Sequence, residues 1–328
     1  MACTPLGCTI GLSIDWACCA LSARQAFLHL ELYRQGIFMN PQIFFQVLVN
    51  GLFTGGIYSL VAVGLTLIYG VMIIINFAHG EFLMIGIYIA YWFYTLLGVD
   101  PYFSIPLAFI LIFFLGVLIQ KGLVDHILDA HPMSQIVLLV GLSTLLIGLA
   151  QFFFGAEPRA IHVPYETATI TFLGLRFSIA RSVAFISALV ISVILYLFLN
   201  FTKTGKAMRA VSQSRVAAQL MGINIDYIYA LTFGIGAAVT GIGGVLLAPN
   251  HVMIPTMGMS YSVIAFVVVV LGTMGNFIGA FLGGLIIGVA EAFAGFYLGG
   301  DLKIVASMGI FILILLFKPA GLFGRQRS

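Results

Sequence analysis

The chain alternates long apolar runs with short polar interruptions. The first of these runs, 41–77, contains no charged residue. A helix needs about 20 predominantly apolar residues to cross the hydrocarbon core of a bilayer. Uninterrupted runs favour helices over strands, because the strands of a membrane barrel alternate polar and apolar positions. The apolar segments are 42–69, 82–97, 103–120, 133–154, 182–200, 227–248, 259–274, 277–297 and 304–317.

This pattern predicts an all-α integral membrane protein, a polytopic bundle of about eight transmembrane helices. The composition agrees with it, since 62% of the residues are hydrophobic and only 8% are charged. Soluble domains usually carry about 25% charged residues. The longest polar connection, 155–181, contains alternating Thr and apolar side chains. We expect a short hairpin there.

A polar break, 76–81, interrupts the apolar part of the chain near its start. It predicts a broken helix, which membranes tolerate only where the irregular backbone faces protein or a water-filled cavity. Many transporters place their substrate at such a break. We therefore assign the translocation pathway to Asn76, His79 and Glu81 of the break and to Glu291, because ionisable groups inside a membrane point to function. The alternatives are a membrane boundary for Glu81, a structural hydrogen bond for Glu291 and simple packing for His79.

Basic residues set the expected orientation. The loop 203–226 carries four cations and one acid, a local charge of about +3 by simple count. The C-terminal tail, 318–328, is similarly basic. The positive-inside rule assigns both to the cytoplasm. Counting helices backwards then places 121–132 inside and 155–181 outside.

The basic loop has the signals of one or two short amphipathic helices. We expect Thr204 to cap a helix that begins at Gly205, and Ser212 or Ser214 to cap a second turn. Gly222 is a natural helix stop. The sequence leaves three roles open: contact with anionic lipid headgroups, a solvated connector, or docking into a groove on a cytoplasmic partner.

Small residues recur at four-residue spacing in two segments. One series is Gly236, Thr240 and Gly244, and another begins at Gly275 and continues to Gly283. Such stripes let helix backbones approach closely in lipid. They predict packing within one bundle, with a dimer seam as the alternative.

Motifs for catalysis are missing from the sequence. The segment TGKA, 204–207, lacks both the first glycine and the final Ser/Thr of a nucleotide-binding loop. The histidines are scattered, and no nucleophile elbow occurs. We therefore expect no enzyme activity, metal or cofactor in this chain. All four cysteines lie in the first 19 residues, at spacings typical of neither a zinc site nor a redox pair. We interpret 1–38 as a disordered leader or a start-site artefact, and 39–328 as the membrane domain.

Several ordered stretches resemble the permease subunits of bacterial ABC importers for branched-chain amino acids. The resemblance covers about 40–325. The stretches that carry it are NG at 50–51 through YG at 69–70, INFAHGEF at 75–82, GKAMRAV at 205–211, AAQLMGIN at 217–224, ALTF at 230–233, GVLL at 244–247 and KPAGLFGR at 318–325.

The resemblance implies a role for the basic loop as a coupling helix that contacts an ATPase subunit. The matching positions lack the glutamate that often marks this helix in the family, and Arg215 stands nearby. The implied coupling residues are Arg209, Arg215, Ala217, Ala218, Met221 and Gly222.

The resemblance also implies partners and a location. The partners are a second permease subunit, two cytoplasmic ATPase subunits, a periplasmic substrate-binding protein and membrane lipid, with no nucleic acid. The location is the bacterial inner membrane, with a cytoplasmic C-terminus. Relatives of this family that carry urea or short amides, and a carrier or channel that works alone, are the alternatives.

Overall fold

The computed structural model describes residues 41–172, 174–300, 303–318 and 321–324. The expectation for 1–38 lies outside these residues. The contacts divide the chain between Phe45 and Gln46, and the packing below is that of the unit from Gln46 onward. The helices and strands are α1 (Pro41–Met72), α2 (His79–Leu97), α3 (Ile105–Ile119), α4 (Pro132–Phe154), β1 (Thr169–Phe172), β2 (Leu175–Ser178), α5 (Ile179–Phe201), α6 (Lys203–Gln213), α7 (Arg215–Leu220), α8 (Ile225–Leu247), α9 (Met257–Gly272), α10 (Phe277–Tyr297) and α11 (Lys303–Phe317).

The helices have the lengths expected of a membrane bundle. Within the described residues, seven are long and apolar enough to cross a membrane. Two shorter apolar helices, α9 and α11, accompany them. The predicted all-α polytopic fold is confirmed, and most predicted segments agree with the observed helices within a few residues.

Helix α8 lies at the centre of the packing and is mostly buried, whereas α3, α4 and α5 expose most of their apolar surface. Glycines bring backbones together around it. A Cβ added at Gly244 would meet the carbonyl of Leu83 on α2, and one at Gly236 would meet Gly64 on α1. A Cβ at Gly283 would meet α9 instead. The predicted small-residue stripes therefore pack within the bundle.

The break between α1 and α2 is real but shifted. Helix α1 continues to Met72, and the non-helical residues are 73–78. The backbone of Ile73 takes a positive φ of 58° where α1 ends. His79 and Glu81 belong to the first turn of α2, so the prediction that they lie in irregular backbone was wrong. The helix dipole favours an acid in the first turn of a helix. Helix α2 can therefore begin at His79, before the polar segment 76–81 ends at Glu81.

The segment after α3 differs from the prediction that helix stops at Lys121. Helical backbone continues through a π-helical turn, Gln120–Val124, and a 3-10 turn, Asp125–Ile127. Lys121 is exposed, so its charge costs little in a helix. A charge that ends an apolar run therefore need not end the helix.

The two ends of the bundle are distinguished by their connections. At one end, which we call the hairpin end, β1 and β2 pair antiparallel, with Thr169 opposite Ser178. This confirms the predicted hairpin. Arg159 and Met253 exchange backbone hydrogen bonds at the same end. At the other end, which we call the loop end, α6 and α7 connect α5 to α8.

Helices α6 and α7 confirm that the basic loop folds into two short helices. The predicted cap Thr204 is wrong, because α6 begins two residues earlier, at Lys203, and Thr202 Oγ1 accepts from the Gly205 amide at 3.0 Å. The Ser214 hydroxyl caps α7 through the Ala217 amide at 3.2 Å. Gly222 takes the left-handed conformation expected of a helix stop, with φ of 80°.

Candidate functional site

The break between α1 and α2 holds a buried polar cluster. Asn76, His79 and Glu81 are each at most 1% exposed. The Asn76 Oδ1 atom accepts from the Ala78 amide at 3.0 Å and so holds the turn into α2. These three residues, all predicted from the sequence, therefore lie close together at one helix start.

The cluster connects five helices. The His79 Nε2 atom lies 3.1 Å from the Val61 carbonyl on α1 and 2.6 Å from the Thr240 hydroxyl on α8. The Ser143 hydroxyl on α4 donates to Glu81 Oε1 at 3.0 Å. On α9, the Ser262 oxygen accepts from the Gly80 amide at 2.7 Å. The start of α2 is thereby fixed on every side.

One polar atom of each cluster residue has no hydrogen-bond partner in the described part of the chain. These atoms are Asn76 Nδ2, His79 Nδ1 and Glu81 Oε2. An unsatisfied buried polar group costs about 1–3 kcal/mol. Such a cost is typical of polar residues that a membrane protein keeps for function.

A cavity of about 390 Å³ opens at the hairpin end and contains the fourth predicted residue, Glu291. Glu291 is 5% exposed. Its Oε2 accepts from the Tyr58 hydroxyl at 2.8 Å, and its Oε1 accepts from the Ser307 hydroxyl at 2.8 Å. The carboxylate is therefore held rigidly in the cavity wall between α1, α10 and α11.

Three basic residues that the sequence analysis did not select line the same cavity. They are Arg181 at the start of α5, His251 after α8 and Lys303 at the start of α11. The His251 residue is exposed, although neighbouring protein partly desolvates its ring. This desolvation, followed by the charges of Arg181 and Lys303, lowers the pKa of His251 from 6.5 to about 4. The cavity lining thus carries two cations, Arg181 and Lys303, beside the acid Glu291.

The structure does not bring all four predicted pathway residues together. The cavity lining includes Glu291 but none of the three residues of the break. Helix α9 lies between the two sites, with Tyr261 in the cavity wall and Ser262 bonded to the start of α2. In the sequence, Arg181 and Lys303 could have been noticed because each lies near the start of a predicted helix. The sequence alone does not show that these helix starts line one cavity.

The loop end presents the predicted coupling residues on α6 and α7. The Arg215 guanidinium donates to Asp129 at 2.9 Å and lies over the Tyr229 ring at 5.7 Å. The hydrogen bond to Asp129 is the main cause that raises the pKa of Arg215. Arg209 bonds the side chain of Asn200 at 2.9 Å. Two arginines thereby fix the α6–α7 segment against its neighbours.

The coupling residues differ in exposure. Ala218 is 2% exposed and packs into the core, so it positions α7 and offers no surface. Ala217 and Gly222 are exposed. The large side chains of Val216, Leu220 and Met221 are 66%, 84% and 82% exposed. We call these last three residues the apolar patch.

The comparisons with known proteins agree closely. Residues 47–317 match the family described as "Branched-chain amino acid transport system / permease component". The chain is 34% identical over 300 residues to the high-affinity branched-chain amino acid transport system permease protein BraD of Pseudomonas aeruginosa, which covers 87% of this chain and 98% of that protein.

Other relatives show the same pattern. The LivH permease protein of the corresponding system in Escherichia coli K12 is 32% identical over 295 residues, covering 86% of this chain and 96% of that protein. The solved structure titled "PsaBC from Streptococcus pneumoniae in complex with Fab" matches 88% of this chain and 96% of its own at a TM-score of 0.46 and 12% identity, too distant to bear on the fold. The chain thus belongs to the permease family of branched-chain amino acid transport systems.

Proposed function

We propose that this chain is the membrane permease subunit of an ABC importer that moves branched-chain amino acids across the bacterial cytoplasmic membrane. The energy comes from ATP hydrolysis on separate partner subunits. The names of the relatives support this substrate class. They do not favour urea, short amides or a carrier that works alone.

The apolar patch on α7 is the observation that carries this proposal. Three large apolar side chains stand exposed on a short helix outside the apolar spans, next to basic residues. Exposed apolar clusters rimmed by polar residues are typical of protein interaction sites. A chain that lacks a nucleotide-binding motif needs such a site if another chain supplies the energy. We therefore assign the patch and its neighbours Arg209, Arg215, Ala217 and Gly222 to ATPase docking.

Buried Ala218 contributes by holding α7 in place. Met221 lies within the patch itself, directly before the stop at Gly222. The loop end then faces the cytoplasm, which also places the C-terminal tail there. A second permease subunit and a periplasmic binding protein complete the transporter. Movement of α7 by the ATPases is the input that switches the access of the pathway between the two sides.

The pathway proposal rests on the two buried polar sites. Glu291 lies in the wall of the hairpin-end cavity. With the loop end assigned to the cytoplasm, this cavity belongs to the side on which a periplasmic binding protein would deliver substrate. Asn76, His79 and Glu81 lie deeper, at the broken helix. Helix α9 contacts both sites, through Tyr261 and Ser262, and we propose it as the element that couples them.

Reconstitution tests the function directly. The full chain is expressed together with its second permease and ATPases, placed in proteoliposomes with ATP inside, and supplied with the binding protein outside. We expect uptake of labelled leucine, isoleucine and valine that stops when ATP is replaced by a non-hydrolysable analogue. Uptake of urea but not of these amino acids would reject the substrate assignment. Leucine uptake without any ATPase partner would reject the importer mechanism.

A further inference from the structure

The hairpin-end cavity combines charges of both signs with apolar walls. Its cations are Arg181 and Lys303, and its anion is Glu291. The described residues form two ion pairs, His162 with Glu166 and Arg215 with Asp129, and both lie elsewhere. The charged groups of the cavity therefore do not neutralise one another.

Among the described residues, neither cation has an ion-pair partner. In the described part of the chain, the side chains of Arg181 and Lys303 make no hydrogen bond, and both remain exposed to the cavity. Their charges repel the protonated form of His251, which lines the same cavity. Guanidinium and ammonium groups in this state are suited to bind a carboxylate, and an arginine can do so with two parallel hydrogen bonds.

Glu291 has capacity for a further bond. Its two oxygens each accept one hydroxyl, from Tyr58 and from Ser307. A carboxylate offers about four lone-pair sites, so positions remain for a donor that enters the cavity. The two hydroxyls hold the group rigidly, which lowers the entropy lost on binding a ligand.

The remaining lining is largely hydrophobic. Phe53, Ile57, Leu247 and Met257 are among its apolar members. The volume of about 390 Å³ falls in the range of small-molecule sites, about 300–1,000 Å³. An apolar chamber with a cationic edge and a separate buried carboxylate matches a small zwitterion that carries an apolar side chain.

We propose that this cavity is a substrate site, in which Arg181 and Lys303 bind the α-carboxylate of the amino acid and Glu291 receives its ammonium group. This inference rests on the proposed function and deepens it by naming the groups that recognise the substrate. The site selects zwitterions and disfavours urea and simple amides, because a neutral ligand makes no charge-assisted hydrogen bond to the two cations or to the buried Glu291. Apolar walls then favour aliphatic side chains.

The two cations can be replaced without disturbing the core, because both side chains are exposed. The double variant R181Q/K303Q removes both cations, and since neither makes an ion pair in the described structure, the fold should persist. Arg176→Gln is the matched control, because Arg176 is an exposed arginine at the same end of the bundle whose described hydrogen bonds are made by its backbone. Arg181→Lys keeps the charge and should retain binding. Replacement of Glu291 is a poorer test, since it would also disturb the bonds from Tyr58 and Ser307.

Binding is measured on the solubilised importer complex without the binding protein, by saturation-transfer NMR with L-leucine and with leucinamide, which lacks the carboxylate. Hydrogen bonds to charged groups contribute enough that we expect leucine affinity to fall about ten- to a hundredfold in the double variant. The Arg176 control should bind as the wild type does. Leucinamide should bind the wild type weakly and should lose little in the double variant.

Uptake of leucine in proteoliposomes distinguishes loss of substrate binding in the cavity from loss of docking by the binding protein. Unchanged leucine binding by the double variant would overturn the inference. Reduced uptake with unchanged direct binding would also overturn it, because the cations would then serve to dock the binding protein. If the wild-type importer moves no branched-chain amino acid, the proposed function fails and this inference with it. Wild-type uptake combined with unaltered binding by the double variant rejects the inference alone.

Discussion

Truncation of Leu220 to alanine tests whether the apolar patch docks the ATPase. Leu220 is 84% exposed in the described structure, so nearly its whole side chain is available to a partner. Full burial of a leucine side chain stabilises an association by about 1.5–3 kcal/mol. The Leu220→Ala variant loses most of this, about 2 kcal/mol, which weakens ATPase binding about thirtyfold.

The assay compares affinity with stability. Affinity is measured by titrating labelled ATPase onto the permease complex in detergent, and coupling is measured as leucine uptake per ATP hydrolysed. Thermal unfolding should stay at the wild-type temperature, because an exposed side chain contributes little to the fold. Ile170→Ala is the control, since Ile170 is an exposed apolar residue of the hairpin, 59% accessible, at the opposite end.

Two results would refute this reasoning. The first is an ATPase affinity of Leu220→Ala equal to that of the wild type, which would show that α7 makes no apolar contact with the partner. The second is an equal loss for Ile170→Ala, which would show that the effect does not depend on the end of the bundle. Loss of thermal stability in Leu220→Ala alone would mean that the leucine supports the permease itself.

Four further substitutions follow from the contacts and charges. Gly80→Ala should lower the unfolding temperature, because the added Cβ meets a backbone carbonyl of α9 and such overpacking costs about 1–3 kcal/mol; thermal unfolding in detergent measures this. Arg215→Glu and Gly222→Asp should uncouple ATP hydrolysis from uptake. Membrane insertion should persist, because the lost surface ion pair of Arg215 changes stability by at most about 1 kcal/mol. The measurement is the ratio of uptake to ATP hydrolysis. His251 has a pKa of about 4 in the folded chain against an ordinary value of 6.5. As pH drops from 6.5 towards 4, the unfolded chain binds a proton at His251 before the folded chain does, so the free energy of unfolding falls. In His251→Asn, the unfolding temperature should depend less on pH across this range.

Each of these has its own control. Gly148→Ala should leave stability unchanged, because a Cβ at Gly148 meets nothing within 4 Å; an equal loss there would remove the steric argument. Normal coupling in both Arg215→Glu and Gly222→Asp would reject the assignment of α7. If the unfolding temperature of His251→Asn falls with decreasing pH as steeply as that of the wild type, groups other than His251 cause the pH dependence.

The broad architecture could be predicted because its signals are local. Charge-free runs of the right length marked the spans, and the Thr-rich connection marked the hairpin. Glycine spacing indicated close helix packing, and the contact of Gly244 with the Leu83 carbonyl fits that expectation. These features depend on residues near one another in the chain, so no tertiary information was needed.

The details that failed depend on tertiary structure. Sequence placed the break at 76–81, but burial of His79 against α1 and α8 allows α2 to begin at His79. Sequence also grouped Glu291 with the break, although it lies in a separate cavity. The cationic lining was missed, since Arg181 and Lys303 stand 122 positions apart and only the packing of α5 and α11 brings them together.

The glycine contacts around α8 have a mechanical consequence. Where two backbones touch, as at Gly86 with Gly241 and Gly64 with Gly236, no side chain lies between them to deform and absorb a small sliding motion. Densely packed regions transmit displacement instead of absorbing it. Helices α1, α2 and α8 should therefore travel as one rigid block during transport. The same kind of contact joins Gly80 of α2 to Gly258 of α9, and Gly55 of α1 to Gly284 of α10. Helices α9 and α10 therefore extend the block, and we expect the hinges at elements outside it.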